Sequence, residues 1–452
     1  MRHSPIGWLL LLGCGLLGPS SFAQDQPVSE GKLGQAITQF VRQAHDGIGF
    51  SGAVLCAHKG KVVAAIAVGS TNGKKPAPIK TTTLFEIASV TKPFTATAIL
   101  MLRDRGKLKL DDSISKHLPG VPRNCRQITI RHLLQHTSGI PGNYSRGRGT
   151  DLALVLPRFL AGGPQFPPGT HWEYWNQGYS LLSEVIARAS GKSYVQFCRD
   201  EIFKPTKMNS SCFNGDKPRQ GVTVAIGKSS RGNRSALDHP YGEYGFQYRG
   251  MGGLVTNVWD IWRWDRALKT GKLLKHKSQE EMLKAGKFRY GLGWRVNKTK
   301  GGLTYHSHSG SVRGFVAEIR RYPSKDACLI VLSNTDLSMP LFMTSKGCEQ
   351  LLLGHKPTLQ LPLPLKGDLL KQITGKYEDG RHRILAVEAQ GKAARAKIIW
   401  RMFPPTHAYI GLDQQGKLRL FDFRASYPIA FERDKNGQVT RASLLKISFK
   451  RK

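Results

Sequence analysis

The chain has 452 residues, of which 40% are apolar, and its 68 basic and 31 acidic side chains give a formal charge of +37. This composition supports large buried cores and argues against a disordered, collagen-like or coiled-coil protein. The charge excludes an acidic buffer protein and leaves nucleic acid, anionic glycans and anionic membranes as partner classes. Because Lys and Arg are dispersed and no nucleic-acid-binding module is recognisable, we expect a basic surface suited to anionic envelope polymers and no specific nucleic-acid site.

The first 23 residues are typical of an export signal. Arg2 supplies positive charge, residues 6–17 are mostly apolar, and small side chains at Ser21 and Ala23 fit cleavage after Ala23. The apolar run is shorter than the ~20 residues of a spanning helix, and no later run approaches that length, so we expect no transmembrane segment in the mature chain. A retained membrane anchor and a lipoprotein attached at Cys14 are the alternatives. Ordinary cleavage predicts a periplasmic or extracellular protein.

Cysteine and histidine spacing gives no support for a metal site. Six cysteines remain after the signal, too few to staple a scaffold of this length. Cys198 and Cys212 are close enough to pair, and buried free thiols are an equal alternative. No CxxC or HExxH pattern is present, so we expect no metal and no cofactor.

The hydrophobic periods predict an α+β fold. In chain order they indicate a helix over 33–44, strands over 51–57 and 61–67, a helix over 93–105, helical segments and loops over 108–285, and strands over 303–308, 315–322 and 327–332. Two early and three late strands suggest one antiparallel sheet, closed by distant parts of the chain, flanked by helices and interrupted by a mainly helical insertion.

The last part of the chain changes to a period of two. Pro362 and Pro364 lie in a patternless stretch that predicts a linker over 358–366. Beyond it, alternating segments separated by Gly-containing turns predict a small β-meander or barrel over 367–452. The main domain is accordingly expected over 30–357.

Ser89 and Lys92 form an S-x-x-K motif directly before an apolar helix. Residues three apart share a helical face, so the lysine amine could accept the serine proton. The amine must then be kept neutral by burial or by a second cation. A second copy, from Ser113 to Lys116, precedes Pro119 without room for a helix and is predicted to be a surface turn.

Two further motifs carry polar side chains. Tyr174 and Asn176 follow a Pro/Gly-rich loop, and a tyrosine beside a lysine ammonium is a suitable proton shuttle. His308, Gly310 and Ser311 follow at the end of a predicted strand, where a glycine admits close backbone approach and the Ser311 N–H could serve an oxyanion hole. An aromatic clamp is the structural alternative for Tyr174.

Taken together and in this order, the motifs resemble those of the serine β-lactamase and penicillin-binding family. The similarity is closest to its class C-related hydrolases, which include D-aminopeptidases, DD-carboxypeptidases and esterases. The segment from Leu133 to Pro141, which contains His-Thr-Ser-Gly, and the Gly-Gly pair after Met251 also resemble family segments. The resemblance covers about residues 35–350 and implies a β-lactamase/transpeptidase-like fold, with a small β-domain of the kind often appended to these hydrolases.

The resemblance implies a role for each matching residue. Ser89 would be the acylated nucleophile, Lys92 its base or a partner that orients the base, and Tyr174 the group that exchanges protons with the leaving group and water. The backbone N–H groups of Ser89 and Ser311 would hold the oxyanion. Substrate contacts would come from the following residues: Asn176, His308, Gly310 and Asn143. Lactamases and peptidases carry a lysine where this chain has His308, which weakens the case for efficient β-lactam hydrolysis.

We therefore expect an exported serine hydrolase that acts through an acyl-enzyme on a peptide, amide, ester or β-lactam. Its partner would be a small-molecule or peptide substrate, with cell-wall fragments among the candidates. A catalytically inactive penicillin-binding-like or polyanion-binding module of the envelope is the alternative, and the intact Ser89, Lys92 and Tyr174 set favours the enzyme.

Overall fold

A computed structural model describes residues 27–142, 149–358, 360–365, 367–390, 393–400, 403–422, 425–445 and 447–452. The predicted signal peptide, Cys14 and Asn143 lie outside the described residues. Among the helices of the described ranges, none combines the length and apolar character needed to cross a membrane.

The strands are, in chain order, β1 Val28–Ser29, β2 Gly52–His58, β3 Lys61–Val68, β4 Phe85–Glu86, β5 Cys212–Phe213, β6 Ile226–Gly227, β7 Arg234–Ser235, β8 Leu254–Thr256, β9 Arg295–Lys298, β10 Thr304–Val312, β11 Phe315–Tyr322, β12 Ala327–Ser333, β13 Gly375–Glu378, β14 Ile384–Gln390, β15 Ala393–Trp400, β16 Phe403–Leu412, β17 Leu418–Phe421, β18 Ser426–Arg433, β19 Val439–Leu444 and β20 Ile447–Arg451. The α-helices are α1 Gly31–Ile48, α2 Thr91–Asp104, α3 Ile130–Gln135, α4 Leu152–Phe159, α5 Asn176–Ser190, α6 Tyr194–Phe197, α7 Lys204–Thr206, α8 Val258–Lys269, α9 His276–Leu283, α10 Ser338–Leu352 and α11 Gly367–Ile373.

Seven strands form the main antiparallel sheet, in the spatial order β1-β3-β2-β12-β11-β10-β9. The centre joins distant parts of the chain, because Val54 of β2 pairs with Val331 of β12. Both strands are buried on both faces, which explains their near-continuous apolar sequence. Helices α1 and α10 pack on one face, while α2, α8 and the insertion bury a second core on the other. The predicted α+β architecture is thus confirmed.

The C-terminal strands β13–β20 close into an eight-stranded barrel with a core of its own. Two backbone hydrogen bonds of 2.8 and 3.2 Å join Leu363 to Leu412 at the barrel edge. A Cβ on Gly47 of α1 would lie 1.9 Å from the Pro362 carbonyl oxygen, so this stretch is pressed against the main domain. Direct packing therefore holds the connecting segment around Pro362 and Leu363 against both the main domain and the barrel.

All six cysteines after residue 26 are buried free thiols in the structure. Cys56 and Cys328 lie on the adjacent central strands β2 and β12, whereas Cys198 and Cys212 belong to the insertion. Burial raises the pKa of both Cys198 and Cys212 to about 12, which keeps these thiols protonated. Of the two alternatives left open by the sequence, the structure has free thiols.

Candidate active site

Ser89 lies in a short 3₁₀ turn, Ala88–Val90, that leads directly into α2. Ala88 has a φ of 45°, a left-handed conformation that is strained for an alanine. The turn is held from below by β8, because the Ile87 N–H donates to the Leu254 carbonyl at 3.0 Å. This arrangement presents the partly buried Ser89 hydroxyl at the N-terminal end of an otherwise buried helix, where the dipole favours negative charge.

Lys92 is fully buried in the first turn of α2. Its Nζ donates to Ser89 Oγ at 3.0 Å and to the Met251 carbonyl at 3.1 Å. Burial lowers the pKa of Lys92 well below its usual value. No carboxylate forms an ion pair with Lys92 among the described residues, so no neighbouring charge restores the ammonium form. A neutral amine beside a serine hydroxyl can accept its proton.

Tyr174 is brought to the same cleft from a different part of the chain. Its ring centroid lies 4.9 Å from Lys92 Nζ, and that of the buried Tyr179 lies 5.6 Å away. Asn176, two residues after Tyr174, is the first residue of α5 and is partly exposed. Lys92 therefore lies next to both the serine and the tyrosine singled out in the sequence.

His308 is buried in β10 and uses both ring nitrogens. Its Nδ1 lies 2.8 Å from the Ser309 carbonyl, which can only accept, so this nitrogen carries the proton. Nε2 then accepts from the Tyr290 hydroxyl at 3.0 Å. Burial, aided by the nearby Lys92, lowers the pKa of His308 to about 3. His308 is accordingly a neutral hydrogen-bonding group and does not replace the positive charge of a lysine.

Gly310 sets how closely β10 approaches the Ser89 turn. A Cβ at this position would lie 2.2 Å from the Ile87 carbonyl oxygen and 2.9 Å from Ser89 N. Strand β9 pairs with β10 only as far as Ser307. The part of β10 beyond Ser307 therefore lies beside the Ser89 turn and not beside β9. Ser311 is exposed at this border. The strand runs through His308–Ser311 to Val312, rather than ending at His308 as the sequence suggested.

A buried ion pair holds the backbone segments next to the Ser89 turn and next to Ser311. Arg234 of β7 pairs with Glu86, which precedes the Ser89 turn and also accepts from the Tyr248 hydroxyl. The Arg234 guanidinium donates to the Arg313 carbonyl at 3.0 and 3.1 Å, two residues beyond Ser311. Burial raises the pKa of Glu86 despite its partners. The pair connects the two backbone segments that flank the site. Removing either partner would leave the other as an unpaired buried charge.

An aromatic group that the sequence did not predict surrounds Tyr174. The ring of His136 lies 4.2 Å from that of Tyr174 and 4.9 Å from that of Tyr290. Arg295 is exposed nearby, with its guanidinium 5.5 Å from the Trp172 ring. These residues belong to separate segments of the chain, so only the short motifs carried a local signal, and nothing in their spacing could reveal the group.

The model of the β-lactamase family matches residues 37–344. The chain belongs to the β-lactamase family. Penicillin-binding protein 4* of Bacillus subtilis is 31% identical over 336 residues, which cover 68% of this chain and 73% of that protein. The octameric penicillin-binding protein homologue of Pyrococcus abyssi has a TM-score of 0.61 at 24% identity and covers 93% of this chain and 99% of its own. A mutant of a class C β-lactamase, with a TM-score of 0.62 at 21% identity, covers 72% of this chain and 98% of its own. The two structures establish the shared fold.

The second S-x-x-K copy of this β-lactamase-family protein is engaged elsewhere. Ser113 caps the 3₁₀ turn Ile114–Lys116, and its hydroxyl donates to the Arg126 carbonyl at 2.6 Å. Lys116 forms an ion pair with Asp112 at 2.9 Å. This copy is the surface turn that the sequence predicted.

The buried histidines of this family member predict acid instability. In the fold, burial lowers the pKa of His308 to about 3 and that of His306 to about 4, whereas unfolded histidines titrate near 6.5. Below pH ~6.5 the unfolded chain binds more protons, so the free energy of unfolding decreases as the pH falls towards 4. We expect about 1 to 2 kcal/mol per histidine between pH 7 and 5, measured by urea unfolding at each pH.

His306→Gln tests this directly, because glutamine keeps a donor for the Leu283 carbonyl that His306 Nε2 contacts at 3.0 Å, yet does not titrate. The variant should show a weaker pH dependence of unfolding. The exposed His276, changed to Gln, is the matched control and should match the wild type. Equal slopes for wild type and His306→Gln would contradict the prediction.

Proposed function

We propose that this protein is an exported serine hydrolase that forms an acyl-enzyme on Ser89 with an amide, ester or β-lactam substrate. The observation that carries the proposal is the buried Lys92 amine, 3.0 Å from the Ser89 hydroxyl and without a carboxylate partner among the described ion pairs. Export is inferred from the first 23 residues, which precede the described part of the chain.

In this mechanism, Ser89 Oγ attacks the carbonyl carbon of the substrate and its proton passes to the neutral amine of Lys92. The carbonyl oxygen becomes an oxyanion between the backbone N–H groups of Ser89 and Ser311. Tyr174 delivers a proton to the leaving group as the tetrahedral intermediate collapses to the acyl-enzyme. A water molecule then attacks the ester and gives its proton back through Tyr174 and Lys92, which releases the acid and restores Ser89.

The polar surface of the cleft supports an amide-bearing substrate. Asn176 lies at the start of α5 with its side chain partly exposed, and an amide side chain can pair with a substrate amide through both its donor and its acceptor. His308 is neutral, and its two ring nitrogens are already engaged by the Ser309 carbonyl and the Tyr290 hydroxyl. The exposed Arg295 is a cation near this end of the cleft, close to Trp172 and Tyr290.

Covalent labelling tests the proposal. A fluorescent penicillin and a fluorophosphonate probe should each label the wild type at Ser89, located by mass spectrometry of the labelled peptide. Ser89→Ala should abolish the label. Ser113→Ala removes the serine of the second S-x-x-K copy and is the matched control, which should label like the wild type.

Equal labelling of Ser89→Ala, or an unlabelled wild type, would contradict the enzyme and support the inactive binding module. Hydrolysis of a chromogenic cephalosporin, short acyl esters and D-amino-acid anilides by the same samples then assigns the substrate class. Retention of Ser89→Ala on heparin at high salt would point to polyanion binding.

A further inference from the structure

His136 is the residue that ends α3, and it does so in a conformation that few residues adopt. Its φ and ψ are 59° and 40°, in the left-handed region where glycine or asparagine is usual. The side chain is buried, with 1% of its surface exposed. A histidine at such a position needs a reason beyond ending the helix.

His136 forms hydrogen bonds with the residues immediately before and after Tyr174. The His136 carbonyl accepts the Glu173 N–H at 2.9 Å, and its ring Nδ1 accepts the Trp175 N–H at 3.1 Å. Between these two bonds, the imidazole lies against the Tyr174 ring, 4.2 Å between centroids. One residue therefore fixes the backbone before and after Tyr174 and also touches its side chain.

The ring must remain neutral for this arrangement to hold. Because Nδ1 accepts a hydrogen bond, the proton of the neutral imidazole is on Nε2, which has no partner among the described residues. Protonating Nδ1 would remove the acceptor. Burial lowers the pKa of His136 most, the nearby Lys92, His308 and Arg295 lower it further, and the Trp175 N–H faces the ring as an uncharged donor. The lowered pKa favours the neutral ring that this hydrogen bond requires.

Tyr174 lies outside the helices and strands. Helix α4 ends at Phe159 and α5 begins at Asn176, so Tyr174 stands at the end of a long connection. That connection is tied to the segment following His136, since residue 165 donates its backbone N–H to the carbonyl of residue 139 at 2.8 Å, and residue 169 donates to residue 137 at 2.8 Å. The position of the Tyr174 phenol relative to Lys92 consequently depends on where His136 holds Glu173 and Trp175, the residues before and after Tyr174.

We propose that His136 is a positioning residue, which places the Tyr174 phenol beside Lys92 by accepting the Trp175 N–H at its ring Nδ1. The inference rests on the proposed function, because it acts through the proton transfer assigned to Tyr174. It adds a residue that is assigned neither to the nucleophile nor to the base. A displacement of about 1 Å at a reacting group can cost about 100-fold in rate.

Two substitutions separate the acceptor from the ring. His136→Asn places Oδ1 at the same number of bonds from Cα as Nδ1 and tolerates the left-handed conformation, but has no ring to stack. His136→Phe keeps a ring and removes the acceptor. We expect the rate of acylation by fluorescent penicillin to fall about 100-fold in His136→Phe and to stay within about threefold of wild type in His136→Asn.

The decisive comparison combines His136→Phe with Tyr174→Phe. If His136 acts through the phenol, His136→Phe should cause no further loss of acylation rate in the Tyr174→Phe background. A role in general stability would instead give the same loss in both backgrounds. Should His136→Phe fail to fold, His136→Gln, whose amide is one bond too long to replace Nδ1, takes its place in the same cycle with the same expected loss.

Wild-type rates in His136→Phe, equal losses in His136→Asn and His136→Phe, or additive losses in the double variant would each overturn the inference. In all three cases Ser89 would still be labelled in the wild type, so the proposed function would stand. An unlabelled wild type would overturn both the proposed function and the role of His136. Labelling of the wild type but not of Ser89→Ala would support the proposed function, so that a negative result for His136 would concern the positioning role alone.

Discussion

Lys92→Met is expected to lower the rate of acylation at Ser89 by about 10² to 10⁴-fold, since general-base catalysis contributes about that much and the methionine side chain cannot accept the proton. Lys92 is the group that donates to Ser89 Oγ at 3.0 Å. Lys92→Arg should be equally inactive. Its guanidinium is positively charged and cannot lose a proton at any working pH, so it cannot act as the base. Stopped-flow labelling with the fluorescent penicillin measures all three proteins.

The controls distinguish a base from a mere charge. Lys116→Met removes the lysine of the second S-x-x-K copy, which pairs with Asp112 on the surface, and should react like the wild type. An active Lys92→Arg would show that the position needs only a cation. An active Lys92→Met would show that another group takes the Ser89 proton.

The low pKa of Lys92 also gives the sign of two pH effects. Acylation requires the neutral amine, so the rate should fall as the pH decreases through this lowered pKa and reach a plateau above it. The free energy of unfolding also depends on this pKa, and it should increase as the pH rises from the lowered pKa of Lys92 towards the ordinary lysine value. Below the ordinary lysine pKa the unfolded chain holds a proton that the fold excludes, so the buried amine destabilises the folded state at neutral pH. Lys92→Met should therefore raise the unfolding temperature while it lowers the rate.

Gly310→Ala is the second substitution from which we expect a large loss, about 10² to 10³-fold in acylation rate, the usual cost of losing one oxyanion donor. The added Cβ would lie 2.2 Å from the Ile87 carbonyl oxygen and 2.9 Å from Ser89 N, both backbone atoms that cannot rotate away. Either β10 or the Ser89 turn must move, which separates the two N–H groups proposed for the oxyanion. The fluorescent-penicillin assay measures this loss.

A second glycine outside the cleft provides the matched control. Gly301, between β9 and β10, would place its added Cβ 3.9 Å from Thr299 Oγ1, an ordinary contact. Gly301→Ala should therefore leave both the acylation rate and the unfolding temperature near the wild-type values. Full activity in Gly310→Ala would show that the approach of β10 to Ser89 is not needed for catalysis, while loss in both variants would point to a general effect on the sheet.

Several elements followed from local patterns, with differences that have physical causes. The long helix expected over 93–105 is α2, but Ser89 lies in a separate 3₁₀ turn instead of the first helical turn. In the barrel, β16 includes Pro404 and Pro405, which have no backbone N–H to donate to a neighbouring strand. β16 nevertheless forms there. The two prolines fall where the register with β15 shifts, between Ile398 and Trp400, so no ladder donor is required of them.

The domain boundaries and the catalytic roles stay predictions, while the family and the fold are now established. The pairing of Ser89 with Lys92 could be foreseen, because three residues of helix bring them together. Arg234 could not be. Its partners Glu86 and Arg313 are 148 and 79 residues away, and no period or motif marks such a contact.

Motif spacing and hydrophobic period were enough to predict the contact of Lys92 with Ser89 and the helices and strands of the α+β scaffold, because each of these depends on interactions within one or two turns of chain. The role of Ser89 as the acylated nucleophile came from the family resemblance and stays a prediction. Three-dimensional packing alone could reveal the lowered pKa of Lys92, the neutral state of His308, the contact of Gly310 with Ile87 and the hydrogen bonds of His136 on either side of Tyr174. Burial and close approach arise when segments far apart in the chain come into contact, and local sequence patterns do not show which distant segments will do so.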